Sequence, residues 1–163
     1  LFLFFTSHGS EDYYLSANFP PFRLNDINAT SINKALDEAG IKWRIIIVSA
    51  CYSGGFIEPL ADPYTLLITA ASADRKSFGC GHDGKYTYFG DADFEKGLRQ
   101  TRSFIKAFDH ANEIINAKEN KEGFKNSDPQ IRIGTEIEKK LNEYEKKFEA
   151  KGNINWASTY IGP

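Results

Sequence analysis

Three largely apolar runs mark the first half of the chain: residues 1–5, 45–48 and 65–71. The first two are Leu-Phe-Leu-Phe-Phe and Ile-Ile-Ile-Val, and small polar residues follow each. Runs of this length and composition are typical of parallel strands that are covered on both faces of a sheet. We therefore predict three buried strands. We expect the first to have neighbours along both edges, because a bare apolar edge strand invites aggregation.

Between and after these runs, apolar residues recur every three or four positions, which is the spacing of a helix that buries one face. The pattern predicts a helix from an N-cap at Thr30 to a stop at Gly40, an interrupted helix from Asp91, and a last helix over about 134–150. Strand, helix and strand in that order form a right-handed βαβ unit whose strands are parallel. The fold class is therefore α/β with a mostly parallel sheet.

Length and composition limit the function without identifying it. A chain of 163 residues fits one domain over 1–163. A net charge of −2 gives no electrostatic reason to expect nucleic acid as a partner. Two cysteines without CxxC spacing are too few for a disulfide framework, and we expect no metal and no organic cofactor.

The sequence holds no Met and opens inside an apolar run. We therefore expect a piece of a longer protein, with N-terminal strands missing from this chain. The strand at 1–5 would then pair along its outer edge with that missing segment, or with a second copy in a homo-oligomer.

The first two strands each run into a residue that a thiol catalyst needs: His8 after the first and Cys51 after the second. Parallel strands bring both to the carboxyl edge of the sheet, where open α/β sheets bind ligands. Cys51 would attack a carbonyl after an imidazole takes its proton, and backbone amides of Gly9 and Cys51 would hold the oxyanion. The competing interpretation is an inert buried thiol and a hydrogen-bonded loop histidine.

The two blocks at 4–9 and 47–51, and the segments 75–80 and 87–91, resemble the legumain-like cysteine peptidases, relatives of caspases and gingipains. Ser53-Gly54 after the cysteine is similar as well. The resemblance implies a three-layer αβα caspase-like fold. It also implies a cysteine endopeptidase that hydrolyses peptide or protein substrates through an acyl-enzyme.

Carried over residue by residue, the resemblance makes His8 and Cys51 the dyad and Gly9 an oxyanion donor. Ser77 and Asp91 would line the S1 pocket, although Asp91 also suits the first turn of a helix. Ser49 stands where legumains have an acidic residue. We assign Ser49, Ser77 and Asp91 to substrate binding, and leave the P1 preference open between Asn and a basic residue.

Two other functions remain open. An amine could resolve the same acyl-enzyme, which would make the protein a transamidase or peptide ligase. Alternatively, the domain could be a catalytically silent binding module, given the departure at Ser49. Relatives are often secreted, lysosomal or membrane-attached, so the resemblance suggests an extracytoplasmic or membrane-attached full-length protein.

Two remaining residues could suggest a metal pair, Cys80 with His82. Without further ligands, a buried structural thiol is the preferred interpretation of Cys80. A disulfide between Cys80 and Cys51 would block the nucleophile.

Overall fold

A computed structural model describes residues 1–79 and 86–149, with side chains to residue 147. Cys80 and His82 lie outside the described residues. The strands in chain order are β1 (Phe2–Thr6), β2 (Tyr14–Leu15), β3 (Asn18–Phe19), β4 (Phe22–Arg23), β5 (Ile27–Asn28), β6 (Arg44–Ser49), β7 (Thr65–Thr69) and β8 (Gln130–Ile133). The α-helices are α1 (Ala29–Glu38), α2 (Ile57–Leu60), α3 (Tyr88–Gly90), α4 (Phe104–Glu122) and α5 (Thr135–Glu149). A 3₁₀ turn, Ser53–Phe56, precedes α2, and a π-helical segment, Asp91–Gly97, continues α3.

The main sheet has the strand order β1-β6-β7-β8. β1, β6 and β7 run parallel, while β8 is antiparallel to β7. Parallel neighbours need crossover connections, and here the crossovers carry α1 and α2. The predicted mostly parallel α/β sheet is confirmed, and its first two strands belong to one βαβ unit.

Helices cover both faces of this sheet. On one face, Ile46 and Val48 of β6 share a buried cluster with Leu36 of α1 and Leu60 of α2. On the other face, the cluster joins sheet residues to the helices that follow β7; among its members are Ile47, Ile68, Phe89, Phe108, Ile115 and Ile137. The two cores make three layers, so the αβα caspase-like architecture is confirmed. In the described part of the chain, no helix has the length and apolar character that a membrane crossing requires.

β1 differs from the prediction of a strand buried on both faces. Its side chains alternate between exposed and half-buried, with Phe2 45% and Phe4 40% exposed. β1 is an edge strand that pairs with β6 alone among the described residues. The face of β1 that carries Phe2 and Phe4 is covered only in part, where Phe2 stacks on Phe104 and the Phe4 and Phe94 rings meet edge to face. The prediction is therefore correct for β6 and β7 and wrong for β1, whose pairing along the outer edge stays a prediction.

Helix ends show how local hydrogen bonds set the boundaries. α1 is capped by Asn28, whose side chain accepts the Ser31 amide at 2.9 Å in a capping box, and not by Thr30 as predicted. Gly40 follows the helix end with φ +66°, as a stop residue should. The predicted interruption of the long helix is confirmed: the π-helical segment ends at Gly97, and Ser103 caps α4.

Candidate active site

His8 and Cys51 come to equivalent places at the carboxyl edge of the sheet. Thr6 pairs with Ser49, and the amide of Ser7, the residue after β1, donates to the Ser49 carbonyl at 3.4 Å. His8 and Cys51 each lie two residues beyond that pair, just past the ends of two parallel strands whose spacing is about 4.8 Å. The structure therefore places the two residues at equivalent backbone positions at one edge of the sheet, as the sequence predicts.

Gly9 lies directly against the main chain of Cys51. A Cβ atom on Gly9 would stand 2.0 Å from the Cys51 carbonyl oxygen and 3.0 Å from its carbonyl carbon. Only a residue without a side chain fits so close to another backbone. Within the described chain, the amides of Gly9 and Cys51 donate to no backbone carbonyl. Backbone N–H groups without a backbone acceptor in the described chain are the kind of donor that an oxyanion hole requires.

The Cys51 thiol is half-buried, is not in a disulfide, and contacts Ser77. Its Sγ donates to the Ser77 carbonyl at 3.5 Å, and the Ser77 hydroxyl lies 3.9 Å from Sγ. The His8 side chain is exposed. Catalytic hydrogen bonds in unliganded sites often form only when substrate binds, so a thiol turned toward Ser77 is compatible with a later contact to His8.

The chain turns sharply at Tyr52, immediately after Cys51. Tyr52 has φ +56° and ψ 19°, a left-handed conformation that is uncommon for a bulky residue. Its amide donates to the Arg75 carbonyl at 2.7 Å, and its hydroxyl donates to Glu11 Oε1 at 3.0 Å. Desolvation and the Glu11 hydrogen bond raise the pKa of Tyr52, so the hydroxyl stays a donor. No feature of the sequence indicates this conformation.

Ser49 is buried and reaches the segment that carries Asp91. The Ser49 hydroxyl lies 3.2 Å from the Thr87 hydroxyl. Thr87 in turn accepts the Gly90 amide at 2.9 Å through its side chain, and its carbonyl accepts the Asp91 amide at 2.9 Å. Sequence reasoning did not single out Thr87, although a Thr three residues before Gly90 is a recognisable helix cap.

The Asp91 carboxylate forms an ion pair with Lys96, Oδ2 to Nζ at 2.7 Å. Both side chains are partly exposed, so the pair contributes little to stability. The pair does change the net charge of the region, because Lys96 compensates the Asp91 carboxylate that was predicted to line the S1 pocket.

Asp93, two residues later, is 1% exposed, and both of its carboxyl oxygens are without a hydrogen-bond partner in the described chain. Burial raises the pKa of Asp93 to about 6. Sequence reasoning missed this group, since an acidic residue in a helical stretch gives no sign of burial.

Comparison with known proteins gives one family. The peptidase C13 family matches over residues 1–139, a range that includes every residue assigned to the site. A comparison with curated proteins gives no match. Within residues 1–79 and 86–149, no three His, Cys, Asp or Glu side chains gather where they could hold a metal ion.

Proposed function

The chain belongs to the peptidase C13 family, and we propose that it is an endopeptidase that cleaves peptide bonds through an acyl-enzyme on Cys51. The family assignment confirms the resemblance to legumain-like cysteine peptidases and supports a cysteine-peptidase type of function. The dyad, the oxyanion donors and the pocket are our proposals for how this chain performs it.

Acylation begins when His8 takes the proton of the Cys51 thiol and Sγ attacks the scissile carbonyl carbon. The tetrahedral intermediate collapses, the C–N bond breaks, and His8 gives its proton to the leaving amine. In deacylation, His8 takes a proton from water as its oxygen attacks the thioester carbon, the C–S bond of the resulting tetrahedral intermediate breaks, and His8 returns the proton to sulfur, which restores the thiol. The negative oxygen of both intermediates accepts from the amides of Gly9 and Cys51.

The observation that carries this proposal is the register of β1 and β6. His8 and Cys51 each follow the paired residues Thr6 and Ser49 by two positions, and the absent side chain of Gly9 lets the two strand ends lie in close contact, which supports the proposed dyad. A buried inert thiol would need neither the adjacent histidine nor the unpaired amides.

Substrate recognition would involve the three residues assigned to the pocket. Ser77 lies against the thiol, Ser49 is joined to the Asp91 segment through Thr87, and Asp91 is paired with Lys96. Because Lys96 compensates the charge of Asp91, the pocket offers hydrogen bonds more than net charge. We therefore expect an uncharged polar P1 residue to be preferred over a basic one.

The test is covalent labelling of the protein by an electrophilic peptide. Labelling should occur at Cys51 and should be abolished in Cys51→Ala and in His8→Ala. His110→Ala, which alters a histidine on α4, is the matched control and should label like the wild type. Labelling of His8→Ala to the same extent as the wild type would refute the proposed dyad. Product analysis with an added amine separates the alternatives, since an amide product would assign transamidation, and absence of any labelling would assign a binding module.

A further inference from the structure

The loop of residues 72–78 forms a wall beside the nucleophile. The Arg75 carbonyl accepts the Tyr52 amide at 2.7 Å, and the Ser77 carbonyl accepts the Cys51 thiol at 3.5 Å. Close packing adds to these bonds, because a Cβ atom on Gly54 would lie 2.5 Å from the Ala73 nitrogen. The position of the thiol and of the strained residue after it therefore depends on where this loop lies.

The far side of the wall is fastened to residues 126 and 127. The Ser72 amide donates to the Ser127 carbonyl at 2.9 Å, and Arg75 Nη1 donates to the Asn126 carbonyl at 2.9 Å. The loop is thus held between the nucleophile on one side and the segment that follows α4 on the other.

Glu119 in the last turn of α4 holds that segment. Its Oε2 accepts the Ser127 amide at 2.7 Å. Glu119 is 0% exposed and Ser127 is 1% exposed. Glutamate is almost never fully buried unless it is paired. Here its side chain bonds to the backbone of the segment that holds the wall, while Glu119 Oε1, Ser127 Oγ and Arg75 Nε are buried without hydrogen-bond partners in the described chain.

We propose that Glu119 is a positioning residue for Cys51, an inference that rests on the proposed function. Glu119 holds the Ser127 amide in place, and the residue before it, Asn126, carries the carbonyl that Arg75 binds. These contacts hold the loop of residues 72–78 in place, and this loop determines the position of the Cys51 thiol through the Ser77 carbonyl. Glu119 acts without touching substrate, through a relay of contacts that starts on α4 and ends at Cys51, two residues after β6.

The first test compares kcat and KM for peptide cleavage in Glu119→Ala, Glu119→Gln and the wild type. Glu119→Ala should lower kcat by ~10- to 100-fold, as expected when a catalytic group is displaced by up to about 1 Å. Glu119→Gln retains an acceptor oxygen for the Ser127 amide and should recover most of the activity. Glu113→Ala, an exposed glutamate on the same helix, is the matched control and should match the wild type.

Glu119→Asp keeps the charge but withdraws the oxygen from Ser127, which makes it the deciding variant if Glu119→Ala fails to fold. A positioning role predicts that Gln outperforms Asp. An aspartate variant as active as the wild type, or equal activity of all three folded variants, would overturn the proposal.

A double-mutant cycle with Arg75→Ala tests the relay. Both residues act through one wall, so the Arg75→Ala/Glu119→Ala protein should lose no more activity than the worse single variant, within about threefold. Losses that multiply would show two independent effects and overturn the relay.

The relay can be separated from the peptidase activity. If the wild type cleaves no peptide, the proposed function fails, and positioning is then read from the relative rates at which iodoacetamide and a bulky maleimide alkylate Cys51. Moving the wall should change this ratio at least ~3-fold in Glu119→Asp, as expected for a displaced thiol. An unchanged ratio would refute the relay whatever the enzyme does.

Discussion

Replacing Gly9 by Ala should disable the site while leaving every proposed catalytic group in the sequence. The new Cβ would lie 2.0 Å from the Cys51 carbonyl oxygen and 3.2 Å from Ala50 Cβ. Cβ atoms essentially never approach other heavy atoms closer than 3.0 Å, so the two strand ends must separate by at least about 1 Å. The Gly9 amide survives this change, but it and His8 move away from the thiol.

Two magnitudes follow from that displacement. A misplacement of about 1 Å in a catalytic group costs on the order of 100-fold in rate, so kcat/KM for a peptide substrate should fall by about that factor. Overpacking against backbone should also cost about 1–3 kcal/mol of folding stability. The assays are peptide hydrolysis and chemical denaturation of the same preparations.

Gly40→Ala is the control that separates stability from geometry. Gly40 has φ +66°, and no atom lies within 4 Å of its ideal Cβ position. Alanine there should cost about 1 kcal/mol through backbone strain alone and leave kcat/KM unchanged. Activity of Gly9→Ala within threefold of the wild type would refute the close approach of the two strand ends. So would a loss in Gly40→Ala as large as that in Gly9→Ala.

Two further predictions concern the segment after α3. Burial raises the pKa of Asp93 to about 6 from 3.8, so the folded protein holds a proton there that the unfolded chain releases. The free energy of unfolding should therefore be highest below about pH 4 and should fall by about 3 kcal/mol in all as pH rises through 6. Asp93→Asn should flatten this dependence, and denaturation curves with the same pH slope in both proteins would contradict it. Lys96→Ala uncovers the Asp91 carboxylate and should raise kcat/KM for basic over uncharged P1 residues up to ~5-fold, the effect of a partly exposed ion pair. An unchanged ratio in a paired peptide assay would remove Asp91 from the pocket.

The central strands could be predicted from composition because burial on both faces is a property of the run itself. β6 and β7 are apolar along their centres, between polar end residues, and are buried almost throughout. β1 has the same kind of sequence, yet Phe2 and Phe4 stay partly exposed, because coverage of a strand's faces depends on the elements that pack on them, which no pattern within the run specifies. The helix cap shows a smaller ambiguity, since Asn28 and Thr30 are both good cap residues and only the reciprocal bond with Ser31 decides between them.

The site divides in the same way. The common sheet edge of His8 and Cys51 could be predicted because strand ends in a βαβ unit have a fixed relation. The left-handed turn at Tyr52 could not, since its amide bonds to Arg75, a residue more than twenty positions away. The buried Glu119 could not either, although its partner, the Ser127 amide, is near in sequence. A charged residue near a helix end has a solvated position as its ordinary expectation.

The fold holds the two proposed catalytic residues with unequal firmness. Cys51 follows a strand that is paired on both sides, and its thiol and the next amide are bound by a loop fastened to α4. Among the described residues, His8 follows a strand that is paired on one side only, and the carbonyl of His8 accepts the amide of Ser16, the residue after β2, at 2.9 Å. Local opening is easiest where buried apolar contacts are fewest. In the described chain, the histidine side of the site is therefore held by fewer contacts than the cysteine side, and its geometry is the easier of the two to displace.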